Sequence, residues 1–209
     1  MLPSRLYAIL DIDLTIARGF DPGAVLDAWL SSGVRLIQLR AKSTPSGAFL
    51  DMAERFGLRA RSAGATFIIN DRADIARMAG ADGVHVGQDD LPPADVRTVV
   101  GADAMVGLST HAPEELRAAL TEPIDYLAVG AVYATGTKPA GHPIVGLEGV
   151  RNAADAARGR GLPVVAIGGI QLATAPAVMA AGASAVAVIA DLLVGDIAVR
   201  AKAYLDALA

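Results

Sequence analysis

The chain of 209 residues contains no cysteine, three histidines and only 4% aromatic residues. These absences exclude a disulfide scaffold and leave no ligand set for zinc. No run of lysine or arginine is present and the formal net charge is -4, which argues against a nucleic-acid partner. The longest apolar stretch, residues 183–190 with one interruption, is far shorter than the ~20 residues that span a bilayer, so we expect no membrane segment.

The N-terminus lacks the basic start, apolar stretch and cleavage site of a signal peptide, and we therefore expect a cytoplasmic protein. What the chain has in abundance is small aliphatic residues, since 53% of its residues are hydrophobic. This composition excludes a disordered chain and suffices for one large core. No linker, low-complexity tract or charge block divides residues 1–209, which predicts a single domain.

Short aliphatic runs alternate eight times with longer segments of helical periodicity. The predicted strands cover residues 6–12, 34–39, 66–70, 83–86, 105–108, 126–129, 163–167 and 185–189. The predicted helices cover residues 22–32, 45–63, 72–79, 94–99, 113–120, 147–160, 172–180 and 196–208. Asp21 and Thr44 are candidate helix caps. Eight strand–helix units of about 25 residues predict an α/β fold, a single-domain (β/α)₈ TIM barrel.

A doubly wound open sheet is the competing fold. It would normally use five or six strands and a glycine-rich turn after an early strand. The segment that follows the first predicted strand, Asp13-Leu14-Thr15-Ile16, contains no glycine. The barrel is therefore the prediction, and it directs attention to the loops after the carboxyl ends of the strands, where such barrels carry their chemistry.

Charged residues follow strands two, three and four. Gln38 and Arg40 are two positions apart and point the same way, and with Lys42 they form a candidate anion clamp, although solvated loop charges are the alternative. Asp71 and Asp90 come from adjacent loops, and such a carboxylate pair suits Mg²⁺. The alternative for Asp71 is a helix cap, and for Asp90 a turn.

Later strands are followed by hydroxyls, a histidine, a lysine and two glycines, namely Ser109, Thr110, His111, Thr135, Thr137, Lys138, Gly168 and Gly169. Hydroxyls and lysine donate hydrogen bonds to phosphate or to a leaving group. His111 has no acidic partner or nucleophile motif nearby, which favours a structural role. The paired glycines let the backbone approach an anion at the position where this fold binds phosphate.

Six motifs resemble, in the same order, those of the thiamine-phosphate synthase family. They are QLRAK at 38–42, INDR at 69–72, GADGVHVGQDDLP at 80–92, GLSTH at 107–111, TGTK at 135–138 and AIGGI at 166–170. The second, third and fifth motifs are specific in that order, whereas IGGI is shared by many phosphate-binding barrels. The resemblance extends over nearly the whole chain.

The resemblance implies a transferase that moves an aminopyrimidine methyl group from its diphosphate to a thiazole nitrogen and releases diphosphate, with Mg²⁺ as cofactor. In the family the leaving group departs first, and the thiazole nitrogen captures a pyrimidine-stabilised methyl cation. No protein base or covalent nucleophile is then required. The implied partners are two small molecules, pyrimidine diphosphate and thiazole phosphate, and a homo-oligomer is left open.

Roles follow from the same resemblance. It implies that the diphosphate is bound by Arg40, Lys42, Asn70, Ser109 and Lys138, with Arg40, Ser109 and Lys138 as catalytic residues. It implies that Asp71 and Asp90 bind Mg²⁺ and that Gln38 lies beside the pyrimidine. It implies that the thiazole phosphate contacts Thr135, Thr137, Gly168, Gly169, Ile189 and Ala190.

Two positions depart from the family pattern. Ala41 stands where an acidic residue is usual, and Ala190 stands where a serine is usual. The missing serine removes one neutral hydrogen bond to phosphate, worth on the order of 1 kcal/mol. Neither change alters the residues implied for the metal or the diphosphate.

Three other functions compete with coupling. A related branch isomerises thiazole phosphate, but it is expected to carry a histidine where this chain has Ala131. A non-catalytic barrel that senses thiazole or thiamine phosphate would have no use for the diphosphate and metal residues. A sugar isomerase would need paired acid and base carboxylates across the mouth. The presence of Gln88, Asp90, Thr137 and Lys138 favours coupling.

Overall fold

The strands of the computed structural model, which describes residues 2–135 and 143–209, form a closed barrel. All eight are parallel, each pairs with its neighbours in sequence, and the first pairs with the last. They are β1 Leu6–Asp11, β2 Leu36–Arg40, β3 Thr66–Asn70, β4 Gly83–Val86, β5 Met105–Thr110, β6 Tyr126–Val129, β7 Val164–Ile167 and β8 Ala185–Val188. The predicted (β/α)₈ barrel is confirmed, and the open sheet is excluded.

Helices surround the barrel. They are α1 Ile12–Ala17, α2 Pro22–Ser32, α3 Ser46–Ser62, α4 Ala73–Met78, α5 Pro93–Val100, α6 Pro113–Ala119, α7 Gly146–Arg158, α8 Ala175–Ala180 and α9 Ile197–Ala207, with a 3-10 helix at Ala190–Leu193. Asp21 caps α2 as predicted, accepting a hydrogen bond from Ala24 N at 2.7 Å. Thr44 does not cap α3, whose cap position is Pro45 without a side-chain hydrogen bond. No helix within the described residues is long and apolar enough to cross a membrane.

Three short elements differ from the prediction. Helix α1 and the 3-10 helix were not predicted, because six and four residues are too few to show a helical period. The Asp11 carboxylate starts α1 by accepting a hydrogen bond from Leu14 N at 3.0 Å. Helix α8 begins three residues later than predicted, because Gln171 and Thr174 close a turn before it.

Side-chain alternation along the strands divides the core into two layers. On β1, Tyr7 and Ile9 face into the barrel, whereas Leu6, Ala8 and Leu10 pack against the helices. The inner layer consists of Tyr7, Ile9, Leu36, Ile68, Tyr126, Ala128, Val165, Ala185 and Ala187. The inward rows continue toward the carboxyl ends of the strands, where polar residues replace apolar ones and form the mouth of the barrel.

Candidate active site

Five polar residues continue the inward rows of β2 to β5 and are buried or half-buried at the mouth: Gln38, Arg40, Asn70, His85 and Ser109. The strand register pairs Asn70 with His85, and it pairs Asp11 with Arg40 on the other side. Ser109 lies within β5, which extends two residues beyond the predicted strand. The structure therefore brings the residues predicted from three separate motifs to one end of the barrel.

Arg40 is held by an aspartate that was not among the predicted site residues. Its guanidinium forms an ion pair with Asp11, whose side chain is only 3% exposed. One oxygen of Asp11 caps α1 while the other accepts from Arg40, so the same carboxylate starts a helix and orients an arginine. The available signal was the position of Asp11, which is the last inward-facing residue of the first strand.

Lys42, Asp71 and Asp90 form a charged cluster on the rim. The Lys42 ammonium nitrogen lies 2.6 Å from an Asp71 oxygen, and Asp71 also interacts with Asp90. Asp90 accepts a hydrogen bond from Gly87 N at 2.8 Å, so it does close the turn considered for it. Asp71 does not cap α4, which begins after Arg72 without a side-chain cap. The helix-cap alternative for Asp71 is therefore wrong.

The pKa of Asp71 is affected by burial and by two charged neighbours, Lys42 and Asp90. Burial raises the pKa of Asp71, the hydrogen bond from Lys42 opposes that rise, and the charge of Asp90 adds to it, with a net shift above the ordinary 3.8. The backbone of Asp71 has φ +63° and its N–H donates to the His85 carbonyl at 2.7 Å. The fold thus places two like charges together in a partly buried setting.

A chain of hydrogen bonds crosses the barrel interior and links Gln38 to Ser109. The Gln38 amide donates to the Tyr7 hydroxyl at 2.9 Å, and the Tyr7 and Tyr126 hydroxyls lie 2.9 Å apart. Tyr126 lies 2.9 Å from Nδ1 of His85, whose Nε2 lies 2.8 Å from the Ser109 hydroxyl. Tyr7, Tyr126 and His85 were not predicted as site residues, although their strand positions share the inward parity of Gln38 and Ser109.

Only the first contact of this chain has a fixed direction, because an amide N–H of Gln38 must donate to the Tyr7 hydroxyl. The Tyr7 and Tyr126 hydroxyls can each donate to the other, and the roles of the two His85 nitrogens toward Tyr126 and Ser109 depend on the tautomer of the ring. Burial raises the pKa of both tyrosines, so both hydroxyls stay protonated.

The two glycines after β7 lie where no side chain fits. Gly168 and Gly169 have φ +103° and +65°. A Cβ on Gly168 would lie 2.6 Å from Ala131 Cα, and one on Gly169 would lie 2.4 Å from the Ala134 carbonyl oxygen. Tyr133 N donates to the Gly168 carbonyl at 2.9 Å, so this loop packs directly on the segment after β6 that leads to the predicted Thr135.

The loop after β8 completes this side of the mouth. Ile189 precedes the 3-10 helix and Ala190 begins it. Arg18 donates to the Ala190 carbonyl at 2.6 Å from the end of α1. Thr137 and Lys138, which belong to the predicted site, lie outside the described residues.

Two further polar residues have structural contacts. His111 is buried, with Nδ1 2.6 Å from the Gly130 carbonyl oxygen, which agrees with the structural role favoured by the sequence. Gln88 donates to the Ser109 carbonyl at 2.6 Å and thereby holds the end of β5 against the loop after β4.

Comparison with known proteins identifies relatives along nearly the whole chain. A family model described as thiamine monophosphate synthase matches residues 6–192. The chain is 44% identical over 209 residues to a thiamine-phosphate synthase of Koribacter versatilis, covering 98% of this chain and 95% of that protein. A thiamine biosynthesis bifunctional protein of Symbiobacterium thermophilum is 45% identical over 209 residues, and there the match covers 98% of this chain but only 43% of the relative.

A solved structure is also similar. Thiamine phosphate pyrophosphorylase from Pyrococcus furiosus superposes with a TM-score of 0.87 at 28% identity, covering 98% of this chain and 95% of that one. The expectation of a transferase of thiamine biosynthesis is confirmed by these relatives. By the family model and the identity over nearly its whole length, the chain belongs to the thiamine monophosphate synthase family.

Proposed function

We propose that the chain is a thiamine-phosphate synthase that couples hydroxymethylpyrimidine diphosphate to thiazole phosphate with Mg²⁺, giving thiamine phosphate and diphosphate. The observation that carries this proposal is the charged cluster on the rim, where Lys42 contacts Asp71 and Asp71 interacts with Asp90. Adjacent carboxylates and a cationic side chain suit a ligand that brings both a divalent cation and a polyanion. Diphosphate is such a ligand.

The first substrate occupies the β2–β5 side of the mouth in this proposal. Arg40, Lys42, Asn70, Ser109 and Lys138 bind the diphosphate, and Gln38 contacts the pyrimidine. The roles proposed for Arg40 and Ser109 are supported by their contacts, since Asp11 orients the guanidinium and His85 holds the hydroxyl. Groups held in place before the reaction stabilise developing charge without a cost of reorganisation.

The second substrate binds on the opposite side. Gly168, Gly169, Ile189 and Ala190 surround its phosphate, and Thr135 and Thr137 line the side. Gly168 and Gly169 support this assignment, because both have a positive φ and neither could carry a Cβ against the segment after β6, so no side chain of theirs stands between the loop backbone and an anion. The thiazole nitrogen then faces the pyrimidine held at Gln38.

The reaction proposed is a dissociative substitution. The carbon–oxygen bond to the diphosphate breaks first, the electron pair leaves with the diphosphate, and the thiazole nitrogen donates a pair to the resulting cation. Arg40, Ser109 and Lys138 stabilise the negative charge that grows on the leaving group. No described residue is required to remove a proton in this mechanism.

The fit of a magnesium ion rests on the carboxylates present. Within residues 2–135 and 143–209 there is no group of three or more histidine, cysteine, aspartate or glutamate residues that could hold a metal. A pair of carboxylates fits an ion that keeps water ligands and takes others from substrate phosphate. Asp71 and Asp90 would hold it, and the chemistry supplied is neutralisation of charge on the diphosphate.

The test is the appearance of thiamine phosphate and diphosphate when purified protein is given both substrates and Mg²⁺. Omission of thiazole phosphate and chelation of Mg²⁺ are the controls. Asp71→Ala and Asp90→Ala should each lower kcat/KM by at least about 100-fold, whereas Asp89→Ala, an exposed neighbour, should not. Turnover of both site variants at saturating Mg²⁺ contradicts the metal assignment, and isomerisation of thiazole phosphate without coupling supports the related branch instead.

Lys138 gives a second test of the mechanism. If it stabilises the departing diphosphate, Lys138→Ala lowers kcat more than it raises KM, because charge on the leaving oxygen grows only as the bond breaks. A raised KM with unchanged kcat would mean that Lys138 binds the diphosphate of the substrate but does not stabilise the departing leaving group.

A further inference from the structure

Asp191 lies behind the proposed thiazole phosphate site and joins three parts of the chain. It follows Ala190 in the 3-10 helix, and its side chain is 14% exposed. One carboxylate oxygen accepts a hydrogen bond from Leu172 N at 2.9 Å, from Arg200 at 2.6 Å and from the Tyr204 hydroxyl at 2.5 Å. Leu172 belongs to the loop that begins with the two glycines, and the other two donors belong to α9.

Asp191 is supported by two residues of α9, Arg200 and Tyr204. Tyr204 is fully buried, and its hydroxyl also lies 3.5 Å from the carbonyl oxygen of Ile170, the residue after the glycines. Arg200 binds Asp191 twice, since its Nε donates to the Asp191 carbonyl at 3.1 Å, and its guanidinium carbon lies 5.8 Å from the centre of the Tyr204 ring. Arg200 thus contacts both the carboxylate and the backbone carbonyl of Asp191, and two contacts restrict both partners more than one does.

The charge balance of this cluster also suits a neighbouring phosphate. A bare carboxylate one residue from Ala190 would repel an anion there. Burial alone would raise the pKa of Asp191, but the hydrogen bonds from Tyr204 and Arg200 lower it on balance, so the carboxylate remains ionised and paired. Arg200 therefore neutralises Asp191 as well as holding it.

We propose that Asp191 is a positioning residue for the second substrate, tying the glycine loop after β7 to the loop after β8 so that both halves of the phosphate site keep one geometry. The proposal rests on the proposed function. In this proposal the role of Asp191 is structural support, because one of its carboxylate oxygens accepts hydrogen bonds from Leu172 N and from Arg200 and Tyr204 of α9. It acts through the backbone of the two loops.

The experiment measures the steady-state KM for each substrate separately. Asp191→Asn should raise KM for thiazole phosphate by about tenfold, the effect of losing hydrogen bonds to a charged group, and should change kcat and KM for pyrimidine diphosphate by less than about twofold. Tyr204→Phe, which keeps the buried ring, should also raise KM for thiazole phosphate, but by a smaller factor. Asp206→Asn is the matched control, because Asp206 forms an exposed pair with Lys202 on the same helix.

A double variant separates positioning from general stability. Arg200→Met leaves the Asp191 charge uncompensated near the phosphate and should raise KM for thiazole phosphate more than Asp191→Asn does. Adding Asp191→Asn to Arg200→Met removes that charge and should lower this KM again, whereas a purely structural role would make the double variant worse.

The outcomes are distinguishable. Equal shifts in both KM values, or no shift in Asp191→Asn and Tyr204→Phe while the wild type is active, overturn the role of Asp191 alone. A wild type that forms no thiamine phosphate overturns the proposed function and this inference with it.

Discussion

Lys42 holds its ammonium nitrogen 2.6 Å from a carboxylate oxygen of Asp71, at the same point on the rim where Asp71 interacts with Asp90. The Lys42 side chain is 52% exposed, so solvent screens the pair and its contribution to stability is small. The Lys42–Asp71 pair instead affects the binding of ligands. A cation that binds Asp71 must compete with Lys42, and the ammonium released by such binding becomes available to an anionic substrate.

Replacement of Lys42 by methionine should therefore affect Mg²⁺ and pyrimidine diphosphate in opposite directions. Mg²⁺ binding without substrate should tighten by roughly fivefold, the equivalent of about 1 kcal/mol for an exposed ion pair. KM for pyrimidine diphosphate should rise, because a diphosphate ligand is lost. Calorimetric titration with Mg²⁺ measures the first effect, and Lys202→Met, from an exposed pair on α9, is the control. Unchanged Mg²⁺ affinity contradicts the competition.

Asp71→Asn should abolish coupling and yet raise the melting temperature. The substitution removes a like charge beside Asp90, and asparagine tolerates the positive φ of this position. Thermal unfolding followed by circular dichroism, together with the coupling assay, tests both halves. A lower melting temperature would mean that the contact with Lys42 outweighs burial and the repulsion from Asp90.

The pH dependence of stability gives an independent measure of the same residue. Because the folded-state pKa of Asp71 is above the ordinary 3.8, the folded chain binds this proton more tightly than the unfolded chain. The contribution of Asp71 to stability is therefore most favourable below that value and declines as pH rises through the raised pKa. In Asp71→Asn this decline should disappear. The free energy of unfolding of the variant should therefore exceed that of the wild type by more at about pH 7 than at about pH 3.5.

Tyr126→Phe should interrupt the hydrogen-bond chain between Gln38 and Ser109. It leaves the Tyr7 hydroxyl and the His85 ring nitrogen each without this buried partner, at a cost of about 1–3 kcal/mol in the free energy of unfolding. We expect kcat to fall as well, because His85 loses the hydrogen bond to Tyr126 that orients its ring against the Ser109 hydroxyl. Urea unfolding measures the first effect. Tyr133→Phe, on a half-buried tyrosine, should change the unfolding free energy by less than about 0.5 kcal/mol.

Ala190→Ser restores the hydroxyl that the family pattern has at the start of the 3-10 helix. It should tighten thiazole phosphate by up to about tenfold, the equivalent of ~1.4 kcal/mol, and leave the pyrimidine diphosphate unchanged. One oxygen of the neighbouring Asp191 carboxylate is held by Arg200 and Tyr204 of α9. An equal change in both affinities would show that this loop does not serve one substrate alone.

The barrel itself could be predicted from local patterns. Eight alternations of aliphatic runs with helical periods, and the cap at Asp21, depend on residues close together in sequence, and the parallel order follows from the connections. The rim positions of Gln38, Arg40, Asp71 and Asp90 were predictable for the same reason, since they follow strands whose carboxyl ends meet at one end of the barrel. Helix α1 escaped prediction because its six residues carry too little periodic signal.

What joins these residues was decided by the tertiary structure. The pairing of β1 with β2 places Asp11 beside Arg40, although the two residues are separated along the chain by a whole strand–helix unit. Tyr126 reaches Tyr7 and His85 only because Gly107 on the neighbouring strand has no side chain, since a Cβ there would lie 2.0 Å from the Tyr126 ring. Sequence alternation determines which side chains face inward, but strand register and the space left by neighbouring residues determine which of them meet, because those contacts join positions distant along the chain.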